Sequence, residues 1–235
     1  RGFSSNNNLG LRYFRDRTEA SHVLLLNNDA TVAEDFFDLL RRGVAAHPDG
    51  GLFTGTIYHD PARSRVWYAG GKINPLRALA THQDAAPTSP DPVQTAFVCG
   101  CAMLIERSIL TAVGLLDECF DPAYCEDADY SLRVKAAGFG LIYVPRARIF
   151  HKVGGTIGSA FLSPIIAFSV SRNRALMVRR NYSGWRRAVG LAYLLVTKPG
   201  RALFEAVKGR PRIGWAIFQG TCVGLASRRM GPPTR

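Results

Sequence analysis

Four side chains of the sequence are of the types that enzymes use for metal binding and proton transfer. Glu126 and Asp127 stand side by side at the start of a helical pattern, Asp29 follows a short apolar run, and His151 ends a later one. Adjacent carboxylates repel each other unless a cation lies close to them. A divalent cation prefers hard oxygen ligands such as Asp29, and an imidazole suits manganese better than magnesium. The four residues therefore indicate a metal-assisted reaction with a carboxylate as general base.

Each of these features also has an ordinary structural interpretation. Asn27, Asn28 and Asp29 suit the start of the helix that is predicted after them, because Asn and Asp are favoured caps. Acids in a first helical turn are stabilised by the helix dipole, and a lone histidine is more often structural than metal-binding. Asp129 precedes Arg133 by four residues, a spacing that predicts an ion pair on a helix surface. Only the combination of residues favours a shared site.

Strand and helix patterns alternate through the first 155 residues, which predicts an α/β sheet domain. Strands are expected in SHVLLLNNDA, GLFTGTIY, RVWYAGGKIN, FVCGCAMLIE, FGLIYVP and ARIFH, and helices in VAEDFFDLLRRGVAAHPDG, RSILTAVG and EDADYSLRVKAAG. The first strand has the composition of a buried parallel strand, and the polar stretch 80–94 predicts a mobile loop. In open α/β sheets, ligands bind beyond the carboxyl ends of the strands. Asp29 and His151 are both expected at such ends.

The positive charge is concentrated in the last part of the chain. Residues 172–235 contain 14 Lys or Arg and one acid, whereas the preceding 171 residues contain 16 basic and 17 acidic residues. The sequence thus predicts a near-neutral domain (1–155) and a basic helical region (156–235). The uncharged runs 188–197 and 213–227 are shorter than the roughly 20 residues of a membrane span. Amphipathic helices in 172–235 lying on an anionic membrane surface are expected instead.

Two other interpretations of the basic region stay open. It could form an Arg-rich helical cap on the first domain, without any membrane contact. It could also bind nucleic acid, since Arg neutralises phosphates and aromatic rings stack on bases. The sequence contains no recognised nucleic-acid-binding motif, and such a function would leave the neutral domain unexplained. We therefore expect no nucleic-acid partner.

The cysteines suggest the cellular compartment of the protein, and the first residues suggest how much of it the sequence includes. The five cysteines are odd in number and lack zinc-site spacing, so we expect no structural zinc. Cys99 and Cys101 stand in an apolar run, where cysteine usually serves as a small buried hydrophobe. Reduced thiols and the lack of a signal peptide favour the cytoplasm. The chain starts at Arg1 without a preceding strand, which suggests a fragment or a processed protein.

A series of ordered motifs resembles family 2 glycosyltransferases with the GT-A fold. The motifs are LLLNNDATV, YAGGKI, FVCGCAMLIERS, VGLLDECF, YCEDADYSLRVKAAGFGLIYVPRARIFHKVGG and SRNRALM, within roughly residues 4–180. The branch with rhamnosyltransferases and galactofuranosyltransferases is the most similar. The resemblance implies a mixed, Rossmann-like sheet flanked by helices, followed here by a basic helical extension.

The resemblance also implies roles for individual residues. Asp29 would bind the metal at the family's DXD-type position, with His151 as the second protein ligand. Asp127 would deprotonate the acceptor, and Glu126 would support Asp127 or contact the acceptor. The remaining residues are expected at the donor or substrate site, with the glycines allowing the backbone to approach the sugars: Asn8, Asn27, Asn28, Gly70, Gly71 and Gly100. Asn8 is expected in a turn formed by the stretch Asn-Asn-Leu-Gly.

The implied activity is an inverting sugar transfer that depends on Mn²⁺ or Mg²⁺. The donor would be a nucleoside-diphosphate sugar and the acceptor a glycan or a lipid-linked molecule, in cell-wall or polysaccharide synthesis at the inner face of the cell membrane. Asn27 replaces the first carboxylate of a full DXD motif, which reduces the charge at the metal. The family's first strand, with its nucleobase-binding acid, should precede residue 4. An inactive remnant or scaffold of the same fold is therefore the alternative.

Overall fold

A computed structural model describes residues 2–85, 87–152 and 163–227 of the chain. The helices in these ranges are α1 (Phe3–Arg17), α2 (Phe36–Ala46), α3 (Arg107–Ala112), α4 (Glu126–Ala136), α5 (Pro164–Asn181), α6 (Gly184–Val207) and α7 (Pro211–Ala226), with a 3₁₀ helix at Glu118–Phe120. The strands are β1 (His22–Leu26), β2 (Ala30–Val32), β3 (Gly50–His59), β4 (Val66–Tyr68), β5 (Gly71–Asn74), β6 (Leu79–His82), β7 (Val93–Gln94), β8 (Ala102–Glu106) and β9 (Gly140–His151).

The described strands form a seven-stranded mixed sheet and a separate hairpin of β5 and β6. Five strands follow the order β1-β8-β3-β9-β2, while β4 pairs with β3 and β7 pairs with β9. β3 and β9 are parallel, and β8 is antiparallel to both β1 and β3. β1, β3 and β9 therefore run in one direction. Residues 27–29, which follow β1, and His151, which ends β9, lie at the same edge of the sheet.

Helices cover both faces of the sheet, because successive strand residues point to opposite sides. Leu52 packs in a core with α1, α3 and α4, whereas its neighbour Phe53 packs in a core with α2. Leu141 and Ile142 of β9 divide between the same two cores. Burying each such side chain contributes roughly 1.5–3 kcal/mol relative to leaving it exposed. The predicted α/β fold, a mixed sheet flanked by helices, is confirmed.

The structure corrects the expectation that β1 is a buried parallel strand. β1 lies at the edge of the described sheet, is antiparallel to its neighbour β8, and buries Leu25 alone among its residues. Its apolar composition has a different cause. Val23 and Leu24 pack toward opposite cores, so helices on both sides require apolar residues at successive positions.

Three further segments differ from the sequence prediction. The stretch 80–94 is not one loop, since β6 ends at His82 and β7 lies at Val93–Gln94. The segments FGLIYVP and ARIFH form the single strand β9, which keeps its pairing with β3 across an irregularity next to Gly55. A Cβ at Gly55 would overlap the Ala147 carbonyl, so the bulge needs this glycine. Helix α1 occupies residues for which a turn was expected.

Of the basic helices after residue 163, α5 packs directly on the sheet domain, and α7 packs on α5. α5 joins α4 in one apolar cluster through Leu176 and Met177, and α7 packs closely along α5. A Cβ at Gly220 or Gly224 would overlap carbonyl groups of α5, so these glycines allow the close helix approach.

Residues 153–155, which contain the predicted boundary between the sheet domain and the basic region, lie outside the described residues. That boundary stays a prediction.

Part of the positive charge of this region is used inside the protein. Arg172 donates to the carbonyls of Cys119 and Asp121, and Arg174 donates to the carbonyl of Ala78. These arginines support the sheet domain rather than facing a membrane. Within the described ranges, no helix is both long enough and apolar enough to cross a bilayer.

Candidate active site

Asp29 lies in a turn between two strands at one edge of the sheet. The Asn27 carbonyl accepts a hydrogen bond from the Ala30 N–H at 3.1 Å, and β2 begins at Ala30. β2 pairs with β9 so that Ala30 is opposite His151. Helix α2 begins only at Phe36, after Asp35. The interpretation of residues 27–29 as helix caps is therefore wrong, and the same turn places Asp29 beside His151.

A carboxylate oxygen of Asp29 and a ring nitrogen of His151, both atom types that bind metals, face each other. The Asp29 Oδ1 to His151 Nε2 distance is 3.0 Å, and the Asn27 Nδ2 to His151 Nε2 distance is 3.5 Å. His151 is buried, and its Nδ1 has no hydrogen-bond partner among the described residues. Neighbouring ligands of an octahedral cation, each at about 2.1 Å, lie about 3 Å apart. The pair fits a divalent cation as two adjacent ligands.

The protein supplies only part of a coordination shell at this position. Among the described residues, no group of three His, Cys, Asp or Glu side chains could hold a metal ion. A cation at Asp29 and His151 would therefore need further oxygen ligands, from the adjacent Asn27, backbone carbonyls, a substrate or water.

The second part of the site is the start of α4, which a distorted loop presents. Tyr124 and Cys125 have positive φ angles of 80° and 69°, which non-glycine residues rarely adopt. Asn173 of α5 holds this loop, because its Nδ2 donates to the carbonyls of Phe120, Ala123 and Tyr124 at 2.6, 3.0 and 2.9 Å. The predicted SRNRALM motif thus supports the residues that precede Glu126.

Glu126 and Asp127 have different surroundings although they are adjacent. The Asp127 carboxylate accepts hydrogen bonds from the N–H groups of Gly100 and Ala128 at 3.1 and 2.8 Å. Glu126 is only 7% exposed, and its Oε2 has no partner among the described residues. Burial raises the pKa of Glu126 well above its ordinary value, and the neighbouring charge of Asp127 raises it further. Glu126 thus tends to stay protonated.

Asp127 is also affected by burial but keeps more of its acidity. Burial raises the pKa of Asp127, while the N–H groups of Gly100 and Ala128 and the nearby His82 oppose that increase. The pKa values of the two adjacent carboxyl groups therefore differ, with that of Glu126 raised more strongly. Such a separation is what acid–base chemistry uses, because one group can accept a proton while the other stays neutral.

The segment Cys99–Cys101 connects the two parts of the site. The Gly100 N–H donates to Asp127, and the neighbouring Cys101 carbonyl accepts from the Asn27 N–H at 2.9 Å. Cys99 and Cys101 are buried and free, as expected for small hydrophobic residues. The turn that bears Asp29 and the helix that bears Asp127 are therefore held against one short backbone segment.

The sequence profile described as "Glycosyl transferase family group 2" matches residues 22–187, a range that includes both parts of this site. The chain belongs to this glycosyltransferase family. It is 30% identical over 181 residues to proteins named N-acetylglucosaminyl-diphospho-decaprenol L-rhamnosyltransferase from two strains of Mycobacterium tuberculosis. The match covers 71% of the chain and 57% of each of those proteins, so the chain spans little more than half of their length.

Of two similar solved structures, the first shares the fold of this glycosyltransferase. GalNAc-T7 with UDP, GalNAc and Mn²⁺ is similar with a TM-score of 0.56 and 16% identity, over 76% of this chain and 34% of that one. The mannosyltransferase PcManGT from Pyrobaculum calidifontis, in complex with GDP-Man and Mn²⁺, has a TM-score of 0.47 and 14% identity, over 96% and 67% of the two chains. At 16% identity, the first similarity shows the GT-A fold alone.

Two aromatic residues beside the candidate site were not identified from the sequence. The ring of Trp67 lies 5.0 Å from that of His151 and 4.5 Å from that of His82. His82 in turn lies close enough to Asp127 to affect its pKa. Trp67 and His82 therefore link the Asp29–His151 pair to Asp127. The Asn74-Pro75 dipeptide, which marks a turn between the strand GKIN and the segment LATH, is the signal that would have placed His82 on a hairpin.

Gly70 and Gly71 of the glycosyltransferase have structural roles of their own. Gly70 adopts a φ of 92°, which favours glycine, and a Cβ at Gly71 would overlap the ring of Phe97. Both line a pocket of about 190 Å³ together with Gln83 and Tyr143, among others. Asp29, Asp127 and His151 do not line that pocket. A donor contact of these glycines stays a prediction.

Three other predicted residues lie in surroundings that the sequence did not reveal. Asn8 is in helix α1 rather than in a turn, and its buried side chain bonds to the backbone of Leu116 and to Glu118. Asn28 is exposed next to Asp29. A Cβ at Gly100 would lie 3.0 Å from the ring of Phe3, so helix α1 fills that space. Their roles in substrate binding stay predictions.

The expected surface pair of Asp129 and Arg133 lies in the interior. Asp129 is fully buried, and its carboxylate accepts from Arg133 Nε at 2.8 Å and from Asn181 Nδ2 at 2.7 Å. Arg180 approaches the same carboxylate and also pairs with Asp117. Helix α5 covers the face of α4 that was expected to be exposed. The network therefore ties helix α4 to the basic region.

Proposed function

We propose that this glycosyltransferase transfers a sugar from a nucleoside-diphosphate sugar to a hydroxyl group of a glycan or a lipid-linked acceptor, with inversion and with a divalent cation. The main support is the 3.0 Å approach of Asp29 Oδ1 and His151 Nε2 at one edge of the sheet. GalNAc-T7, which shares the fold, was solved with UDP and Mn²⁺. The M. tuberculosis relatives are named for a diphospho-decaprenol acceptor, which supports a role in cell-wall or polysaccharide synthesis.

In this proposal, Asp29 and His151 hold Mn²⁺ or Mg²⁺ against the donor. When bound, the cation stabilises the negative charge that develops on the leaving nucleoside diphosphate. Asn27 is the neutral neighbour of the pair, so the protein contributes one carboxylate charge. The aromatic ring of Trp67, 5.0 Å from that of His151, limits the orientations available to the imidazole.

Asp127 acts as the general base. The N–H groups of Gly100 and Ala128 fix the orientation of its carboxylate. As the acceptor oxygen forms its bond to the anomeric carbon, the bond to the diphosphate oxygen breaks and the hydroxyl proton passes to Asp127. One displacement of this kind inverts the configuration. Protonated Glu126 adds no second negative charge beside the base.

Thermal unfolding with nucleotides tests the donor site. We expect one of UDP, dTDP and GDP, with Mn²⁺, to raise the unfolding midpoint by several degrees, since a ligand at a hundred times its Kd adds about 2.7 kcal/mol. Asp29→Asn and His151→Gln should lose this shift, whereas Asp38→Asn, an exposed acid on α2, should keep it. An equal shift in Asp29→Asn would overturn the metal site. Stabilisation by short RNA and by no nucleotide would favour nucleic-acid binding instead.

Helix α6 supports the proposed contact with a membrane. Five of its residues, spaced four or seven apart, form one exposed apolar line, which we term the apolar stripe: Trp185, Val189, Val196, Leu203 and Val207. On α7, the stacked rings of Trp215 and Phe218 are also exposed. Basic residues such as Arg186 and Lys208 stand beside the stripe, as expected of a helix that lies on an anionic bilayer at the inner face of a membrane.

Vesicle binding tests the apolar stripe. Val196 is 76% exposed, so Val196→Glu leaves the core intact but places a charge where the stripe would enter the bilayer. We expect its affinity for phosphatidylglycerol-containing vesicles to fall about tenfold or more in a co-sedimentation assay. The control is Phe37→Glu, which places the same charge at an exposed apolar position outside the apolar stripe, on α2. This variant should bind vesicles as the wild type does. Equal losses in both variants, or no loss at Val196, would refute the proposed surface.

A further inference from the structure

Two neighbouring side chains of helix α5 hold the chain segment that leads into helix α4. All six carbonyl groups of residues 119–124 accept a hydrogen bond from a distant part of the chain. Five of them accept from Arg172 or Asn173, and the Pro122 carbonyl accepts from the Phe3 N–H at 2.8 Å. The course of this segment is therefore set by the basic region and by the start of α1.

Arg172 and Asn173 form one connected network. Arg172 Nη2 donates to the carbonyls of Cys119 and Asp121 at 3.2 and 2.5 Å, and Arg172 Nε donates to Asn173 Oδ1 at 2.8 Å. A guanidinium group can only donate, so this bond turns the Asn173 Oδ1 toward Arg172 and its Nδ2 toward the segment. Asn173 is fully buried. Arg172 thus orients the amide that binds the other carbonyls.

The end of the segment requires such support, because its backbone is strained. Tyr124 and Cys125 both have positive φ angles, which are unfavourable for residues with side chains. Cys125 is the N-cap of α4, and its side chain makes no capping hydrogen bond. A strained conformation persists only where the surrounding structure imposes it. The first turn of α4, which carries Asp127, therefore depends on bonds from outside the helix.

The same segment also fixes the N–H group that orients Asp127. The Asp121 carboxylate accepts from the Ser4 N–H at 2.9 Å, which holds the start of α1 in place. The ring of Phe3 then stands against Gly100, where an added Cβ would lie 3.0 Å from the ring and 3.5 Å from the Asp127 Cβ. The Gly100 N–H donates to Asp127. The segment therefore controls both the helix that carries Asp127 and its hydrogen-bond partner.

We propose that Arg172 and Asn173 are positioning residues for the base, holding residues 119–124 so that the Asp127 carboxylate meets the Gly100 N–H in the orientation that accepts the acceptor proton. This inference rests on the proposed function, which makes Asp127 the base. Neither positioning residue contacts the substrate. Helix α5 of the basic region is then required for sugar transfer as well as for folding.

Turnover of the 235-residue chain provides the first test. It is followed by release of nucleoside diphosphate from whichever UDP-, dTDP- or GDP-sugar the wild type uses. We expect Asn173→Ala and Arg172→Met to lower turnover about tenfold to a hundredfold, because a small displacement of a reacting group has an effect of that size. Nucleotide affinity with Mn²⁺ should stay at the wild-type value, since Asp29 and His151 lie on other elements.

Arg179→Met is the matched control for Arg172→Met. Arg179 is also a partly exposed arginine of α5 that donates to a backbone carbonyl, but its partner is Leu225 of α7, at 2.9 Å. The control removes the same charge and a bond of the same kind without touching residues 119–124. Its turnover should equal that of the wild type.

The amide signal of Gly100 in nuclear magnetic resonance spectra gives a second readout, which needs no substrate. In the wild type this signal should shift as Asp127 ionises, and Asp127→Asn should remove that step. The Gly100 N–H bond opposes the rise that burial causes in the pKa of Asp127. Its loss in Asn173→Ala and Arg172→Met should move the midpoint of this titration, and the acidic limb of turnover, to higher pH. Arg179→Met should keep both.

The titration can be assigned because the other groups around Asp127 are unchanged in these variants. They are the side chains of Tyr68, His82, Cys99, Cys125 and Glu126. If Asn173→Ala does not fold, Arg172→Met carries the test, since its side chain is partly exposed.

Three results would overturn the proposal: wild-type turnover in both variants, a fall in turnover with an unchanged Gly100 titration, and equal changes in Arg179→Met. The second result would mean that the two residues stabilise the fold without positioning the base. Failure of the proposed function would appear separately, as no turnover of any of these nucleotide sugars by the wild type. The Gly100 titration would still decide whether Arg172 and Asn173 position Asp127.

Discussion

Replacing Asp127 by Asn should lower the turnover number about a hundredfold to ten-thousandfold, the range expected for loss of a general base. The Asn side chain can still accept a hydrogen bond from the Gly100 or Ala128 N–H, so the start of α4 should keep its structure. Donor binding should stay near the wild-type value, because Asp29 and His151 are unchanged. The measurement is turnover together with nucleotide affinity for the same variant.

Glu126→Gln is the matched comparison for this result. Glu126 is buried with a raised pKa, so the neutral Gln resembles the protonated form and should cost much less activity. In the wild type, turnover should fall as the pH decreases through the pKa of Asp127, which burial raises above that of an ordinary Asp. Wild-type turnover in Asp127→Asn, or a larger loss in Glu126→Gln, would show that the roles are assigned wrongly.

Replacing Asp129 by Ala should destabilise the protein by about 3–5 kcal/mol, as expected when one partner of a buried ion pair is removed. Asp129 is fully buried and accepts from Arg133 and Asn181, with Arg180 close by. The substitution would leave the largely buried Arg133 without its carboxylate and would loosen the contact between α4 and α5. Urea unfolding measures the loss as a lower midpoint.

Asp38→Ala provides the contrast for Asp129→Ala. Asp38 pairs with Arg41 on the exposed side of α2, with side-chain exposures of 65% and 81%. Such surface pairs contribute about 0–1 kcal/mol, so this variant should unfold almost as the wild type does. Similar losses in the two variants would mean that burial of the Asp129 network does not determine its contribution.

The sheet and the position of Asp29 and His151 at one of its edges could be predicted because their signals are local. Apolar runs ending in Asn27-Asn28-Asp29 and at His151 identify strand ends, and strands of one direction bring those ends to one edge. The adjacent acids at the start of α4 were recognised in the same way, from their position before a helical pattern.

The surroundings of these residues could not be predicted, since they depend on contacts between distant segments. Asp129 appeared to be a surface residue because nothing in its own helix shows that α5 covers it. Asn8 was expected in a turn, but its side chain bonds to the backbone of Leu116, 108 residues away. Trp67 gains its importance from ring contacts with both His82 and His151.

The most direct test of the account is a Mn²⁺ titration followed by electron paramagnetic resonance, with UDP, dTDP or GDP present. The account predicts that one nucleotide produces tight Mn²⁺ binding in the wild type and in Asp127→Asn, and that Asp29→Asn and His151→Gln lose it. Tight binding that persists in Asp29→Asn, or that disappears in Asp127→Asn, would contradict the separation of the metal site from the catalytic base.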